Sequence, residues 1–164
     1  LVGSEMFIRD SVKNYSYFMK FAISQAKLAK ENNEVPVGAV IVYENNIISR
    51  AHNMVELLND STAHAEILAI TSASNYNNDW RLNNASLYVT KEPCIMCYGA
   101  ILNSRIKNLY YGVSDEKNGF KINLANLDSL NIHLDHIESD ILDFQCKNIL
   151  VDFFKNKRKN NKIK

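Results

Sequence analysis

The chain has 164 residues, a length that suits one domain of about 100–200 residues with room for a hydrophobic core. Hydrophobic residues make up 46%, charged residues 23% and aromatic residues 10%, which excludes a disordered, fibrous or collagen-like chain. The net charge is +1, but residues 155–164 hold six of the 19 Lys and Arg and no acid, leaving 13 basic against 18 acidic residues elsewhere.

The five residues ahead of Met6, Leu1-Val2-Gly3-Ser4-Glu5, read as a cloning remnant. Residues 6–158 then form a single domain, and 155–164 form a basic helix end. Over 15–32, Phe18, Phe21, Ala22, Ala26 and Ala29 share one face with lysines elsewhere, which predicts a helix stopped by Asn32-Asn33. Residues 37–43 are β-branched and apolar, 44–46 are turn-forming and 47–51 are again extended in pattern, so a hairpin is expected. A polar loop spans 53–62, and a helix over 64–73 follows with Thr62, Ser61 or Asp60 as its cap. Residues 87–90 make a short strand, and Pro93 suits the first turn of a helix over 93–102. A strand over 109–113, a turn over 114–119, a short crossover helix over 122–130 and a final strand over 133–138 come next. The last helix starts near Asp140 and buries Leu142, Cys146, Ile149, Leu150 and Phe153. Strands alternating with helices imply a layered α/β fold with a partly parallel sheet.

The longest apolar run, 35–43, is broken by Pro36 and Gly38 and falls far short of the ~20 residues of a membrane span, so no membrane association is expected. Three cysteines, two of them three apart, do not make a disulfide framework, and a reducing, cytoplasmic setting fits better. The basic tail reads either as a solvated helix end or as a phosphate-contacting segment.

The residues with chemistry are Thr62-Ala63-His64-Ala65-Glu66 and Pro93-Cys94-Ile95-Met96-Cys97. They supply one imidazole and two thiols. A tetrahedral zinc ion takes such nitrogen and sulfur donors, and three protein ligands leave a fourth position for water, as in catalytic sites. A helix N-terminus favours the thiolate of Cys94, and Cys97 lies about one turn further on the same face. His64 and Glu66, two apart, do not share a helix face, so one suits the metal and the other the water's proton. Alone, Cys-x-x-Cys also describes a structural zinc half-site or a redox pair. No aromatic-Cys-Gly-Pro-Cys run supports the redox reading, and no second pair completes four ligands. In the order His-x-Glu then Pro-Cys-x-x-Cys, the motifs match the pattern of zinc-dependent nucleobase deaminases.

Around these motifs the sequence resembles the bacterial tRNA-specific adenosine deaminases of the TadA type, in the cytidine/deoxycytidylate deaminase superfamily, from about residue 17 to residue 158. The likeness is carried by Glu34-Val35-Pro36-Val37-Gly38-Ala39-Val40, Asn53, the two zinc motifs with Ile67 and Glu92, Leu87-Tyr88-Val89-Thr90, Ser104-Arg105-Ile106, Tyr111-Gly112, Asp115 with Lys117 and Gly119, and Asp152-Phe153-Phe154. The resemblance implies a three-layer α/β/α cytidine-deaminase-like fold with a central mixed five-stranded sheet. It also implies a homodimer acting on a tRNA anticodon stem-loop, with hydrolysis of the wobble adenosine to inosine and release of ammonia. By the same likeness His64, Cys94 and Cys97 hold one Zn2+ per subunit, and Glu66 moves protons. Asn53 hydrogen-bonds the flipped base and Val35 lines its pocket, while Asp115, Lys117, Phe154 and basic residues around Lys157 lie near the anticodon loop. Cys146 reads as a buried helix residue and not a ligand.

The sequence departs from the family pattern at Ser61, where Pro is common, at Tyr98, where a small residue is usual, and at Phe120-Lys121-Ile122-Asn123, in place of a Gly-rich stretch. A free guanine or cytosine deaminase shares the metal motif but has no use for the basic tail. A non-enzymatic relative with a structural zinc has no use for Glu66.

Overall fold

The computed structural model describes residues 2–123 and 134–161. In chain order the elements are α1 (Val2–Glu31), β1 (Gly38–Tyr43), β2 (Asn46–His52), α2 (Val55–Leu58), α3 (Ala65–Asn77), β3 (Ser86–Lys91), α4 (Ile95–Asn103), β4 (Asn108–Val113), α5 (Phe120–Asn123), β5 (His136–Glu138) and α6 (Asp143–Asn161). The strands form one sheet in the order β2-β1-β3-β4-β5. β1 is antiparallel to both β2 and β3, and β3, β4 and β5 run parallel. The sheet is therefore mixed and five-stranded, as expected.

Period-2 alternation along the strands sorts their side chains into two cores. Ala39, Ile41, Leu87, Val89, Leu109 and Tyr111 pack with Ala65, Ala69 and Ala73 of α3 and Ile101 of α4. Val40, Val42, Tyr88 and Tyr110 pack with Phe18, Met19 and Ala22 of α1 and Cys146 of α6. Helices on both faces give the three-layer α/β/α arrangement. The approach of α1 to the sheet is set by Gly38, where an added Cβ would lie 2.0 Å from the carbonyl oxygen of Ala22. Because β1 is antiparallel to β3, the start of β1, the end of β2 and the end of β3 meet at one edge of the sheet.

Several boundaries differ from the sequence expectation. α1 begins at Val2 and not at residue 15, since no proline interrupts the stretch before Tyr15. The polar loop 53–62 contains the one-turn helix α2, whose Leu57 amide donates to the buried Glu34 carboxylate at 2.8 Å. That tertiary partner leaves no local sequence pattern. None of Asp60, Ser61 or Thr62 caps α3: the Asp60 carboxylate accepts from the amide and hydroxyl of Thr62, both at 2.8 Å, and the cap position falls on His64. Pro93 likewise precedes the cap of α4, which is Cys94. α6 starts at Asp143, because Asp140 and Leu142 have φ of 65° and 52° and cannot continue a helix. Its buried face, Cys146, Leu150 and Phe153 with Leu142 and Ile149 half-buried, follows the expected spacing. Helix α5 begins at Phe120 and not at Ile122. The remainder of the expected crossover helix, 124–130, and residue 133 of the final strand lie outside the described residues.

Candidate active site

The N-termini of α3 and α4 point their cap residues at each other. His64 and Cys94 both have extended backbone (ψ 152° and 171°), and neither side chain caps its own helix. The side chains are free to converge. His64 Nδ1 lies 3.7 Å from Cys94 Sγ and 3.4 Å from Cys97 Sγ, and the three donor atoms fall within 4.8 Å of one another. A tetrahedral ion with Zn–N near 2.0 Å and Zn–S near 2.3 Å spaces its nitrogen and sulfur donors ~3.5 Å apart. The observed separations fit that edge length, and among the described residues this is the one His/Cys/Asp/Glu group arranged to hold a metal.

The thiols are electrostatically unlike. Hydrogen bonding from Cys97, then from His64, pulls the Cys94 thiol down to about 3 against the cost of burial. Cys97 is pushed up, because it donates to Cys94 and is buried. The hydrogen bond that His64 itself makes with Cys94 raises the imidazole. Glu66, 4% exposed in the first turn of α3, is raised by burial, which favours a protonated carboxyl. A carboxyl that holds its proton more tightly is suited to moving one near neutral pH.

A cavity of about 320 Å³ opens over these groups, and Val35, Asn53, His64, Glu66, Cys94 and Lys157 all line it. The sequence reading singled out each of them. Asn53 is 7% exposed, and its Nδ2 donates to Glu34 Oε2 at 3.3 Å. A carboxylate only accepts, so this bond fixes which way the amide faces and leaves its carbonyl oxygen for another partner. Lys157 reaches the cavity from α6, with its Nζ 5.4 Å from the Phe153 ring centroid.

Four expected residues are not among those lining the cavity: Cys97, which is fully buried, and Asp115, Lys117 and Phe154. Asp115 closes a turn, its Oδ1 accepting the amides of Lys117 at 3.0 Å and Asn118 at 3.1 Å, while its Oδ2 pairs with Lys91 Nζ. Burial opposes its ionisation, but Lys91 and the two amides outweigh burial and hold the carboxyl below its usual range. Lys117 is exposed in that same turn. Phe154 is 44% exposed and stacks edge-on against Phe153. Cys146 is 1% exposed in the α1–α6 core, its thiol pushed up to about 12 by burial, and it stands apart from the metal group.

Three residues carry roles that the sequence reading missed. Glu34 holds both Asn53 and α2. Glu92, 4% exposed, accepts the amides of Asp115 at 2.9 Å and Lys121 at 3.1 Å, so it ties the β4–α5 loop and the start of α5 to the segment between β3 and the cysteines of α4. Gly119 closes against it, since a Cβ there would lie 2.4 Å from the Glu92 carboxyl carbon. Lys91 lines the cavity as well as pairing with Asp115. Glu34 and Glu92 stand within the motifs that carry the family resemblance, but buried carboxylates bonded to distant amides leave no periodic signal.

A mixed sheet with two helix N-termini presenting one imidazole, two thiols and a buried glutamate defines a deaminase of the cytidine-deaminase-like class. The family model for MafB19-like deaminases matches residues 13–158. A tRNA-specific adenosine deaminase of Buchnera aphidicola from Schizaphis graminum is 47% identical over 147 residues, covering 87% of this chain and 95% of its own. One from Bacillus subtilis is 44% identical over 148 residues, covering 88% and 91%. The chain belongs to the tRNA-specific adenosine deaminase family. Among solved structures, one from studies of A-to-I editing by tRNA:A34 deaminases superposes with a TM-score of 0.76 at 39% identity, covering 82% of this chain and 99% of that one. A guanine deaminase of Bacillus subtilis superposes at 0.57 and 38% identity, covering 60% and 63%.

Proposed function

We propose that the chain hydrolyses the wobble adenosine of a tRNA anticodon loop to inosine, with water consumed and ammonia released. The observation that carries this reading is Lys157: the basic C-terminal helix lends a cation to the same cavity wall as His64, Glu66 and Cys94. A site for free bases has no need of a polyanion-binding helix at its mouth. The names and near-full coverage of the relatives support the same substrate.

Zinc held by His64, Cys94 and Cys97 would supply the Lewis acidity that makes a water acidic enough to attack near neutral pH. Glu66 takes one proton of the attacking water and delivers it to N1 of the adenine. It then takes the second proton from the hydroxyl added at C6 and gives it to the amine, so that the C6–N6 bond breaks, the C6 carbonyl forms and ammonia leaves. Asn53, its amide fixed by Glu34, hydrogen-bonds the extruded base, and Val35 packs against it. An adenosine in a loop is already unpaired, so extruding it costs less than flipping it from a duplex. Lys157 attracts the backbone beside it, with Lys117 and Phe154 further along the RNA path.

A homodimer completes this reading, supported by the exposure of Leu57 and Leu58 on α2 and of Ile95 and Met96 on α4, around the site. A cytoplasmic setting is supported by three free cysteines, and no helix of the described residues is long and apolar enough to cross a membrane. The likeness to a guanine deaminase favours free-base deamination as the second reading. Incubating the metal-loaded protein with a total tRNA pool and sequencing the cDNA tests between them. Inosine, read as G, appears at wobble positions if the proposal holds; an unchanged pool with ammonia released from guanine supports the second reading.

A further inference from the structure

Lys91 is the last residue of β3 and sits three residues before Cys94. Its side chain is 29% exposed and lines the cavity that holds His64 and Glu66. Glu34, Glu56 and Glu92 bring three carboxylates to the lining of the same cavity beside Glu66, and the cations among the lining residues are Lys91 and Lys157. An RNA strand brought to this mouth meets a negative wall except where those two ammonium groups stand.

Asp115 is engaged on both oxygens, by two amides on one and by Lys91 on the other. Its own amide is held by the buried Glu92. The bonds to the Asp115 oxygens fill three of its roughly four acceptor sites and fix its orientation, and Lys91 supplies the cation beside it. An ammonium has three donors, of which Asp115 takes one, and Lys91 is among the residues that line the cavity. We propose that Lys91 is a substrate-contacting residue, its ammonium taking a phosphate oxygen next to the extruded nucleotide, and that Asp115 acts as the positioning residue that holds it there.

The inference rests on the reading of an RNA substrate. The test uses the full-length, metal-loaded protein and a synthetic anticodon stem-loop, with Lys91→Met, Lys91→Arg, Asp115→Asn and the Lys91→Met/Asp115→Asn pair. Lys91→Met should raise KM for the stem-loop about tenfold with kcat within about twofold, and should reduce the salt slope of binding by ~0.7, the value for one single-strand phosphate. Lys91→Arg, which keeps the charge, should recover most of the affinity. The double variant should bind no worse than Lys91→Met alone, because Asp115 acts through Lys91. Unchanged KM and salt slope in Lys91→Met would overturn the proposal. So would a loss confined to kcat, which would place Lys91 in the field of Glu66 and not on the RNA. A parent protein that makes no inosine in the stem-loop but deaminates a free base overturns the RNA reading and this proposal together.

Discussion

Glu66 is buried beside the two thiols and the imidazole, and in this account it is the group that carries protons between water and base. Glu66→Gln keeps the shape and removes the exchangeable proton. Turnover should fall by about 10²–10⁴, while stoichiometric metal, measured by elemental analysis, and stem-loop affinity stay close to the parent's; activity equal to the parent's would discard its role. Glu34 acts at one remove. Replacing it with Gln turns an N–H2 toward that of Asn53 or withdraws the acceptor from Leu57, and an unsatisfied buried polar group costs about 1–3 kcal/mol. Glu34→Gln should therefore lower both the urea midpoint and kcat/KM, while Glu56→Gln on the exposed side of α2 should leave the midpoint near the parent's. The ligand set and Glu66 were legible in the sequence because donor type and spacing identify them. Glu34, Lys91 and Glu92 were not, since their partners lie 19 to 29 residues away. Asp115 read as an RNA contact by resemblance, and the structure engages it in a turn and an ion pair.

At the scale of elements, the site depends on two helices starting at the right residue. The sequence located α3 and α4 to within a turn but placed their caps too early, because Asp60 and Pro93 are good local start signals and the actual starts are set by tertiary convergence. The hairpin was legible for the opposite reason: Glu44 and Asn45 adopt φ of 48° and 62°, a two-residue turn that local chemistry dictates. The departures at Tyr98 and Phe120 turn out to be one feature. Their rings stack at 4.1 Å and 2°, with Phe120 also edge-on to Tyr111 at 6.2 Å, which pins α5 to α4 behind the cysteine-bearing turn. Phe120→Ala should cost about 3 kcal/mol in urea denaturation. A double-mutant cycle with Tyr98→Ala should show about 1 kcal/mol of coupling beyond area burial, and strictly additive losses would deny the pairing.

Over the whole molecule, charge is segregated: the acids dominate up to residue 154, and the cations collect on the last turns of α6 and beyond. Because Lys157 of that helix lines the cavity, the segregation points at the active site. Stem-loop affinity should fall steeply with salt, and neutralising Lys155, Lys157, Arg158 and Lys159 to Gln should flatten the dependence by ~0.7 for each phosphate no longer paired with a cation; a salt-independent Kd in the parent would make the tail a solvated helix end. The layered fold was legible from alternating elements, whereas which face of the sheet carries α1 and α6 emerged from the strand side chains that pack against them. The central claim, that this cavity deaminates adenosine within RNA, is tested most directly by inosine formation on a synthetic anticodon stem-loop with adenosine at the wobble position. The metal-loaded protein is assayed beside free adenosine, guanine and cytosine. The account expects inosine in the stem-loop alone; ammonia from a free base with the RNA untouched would contradict it.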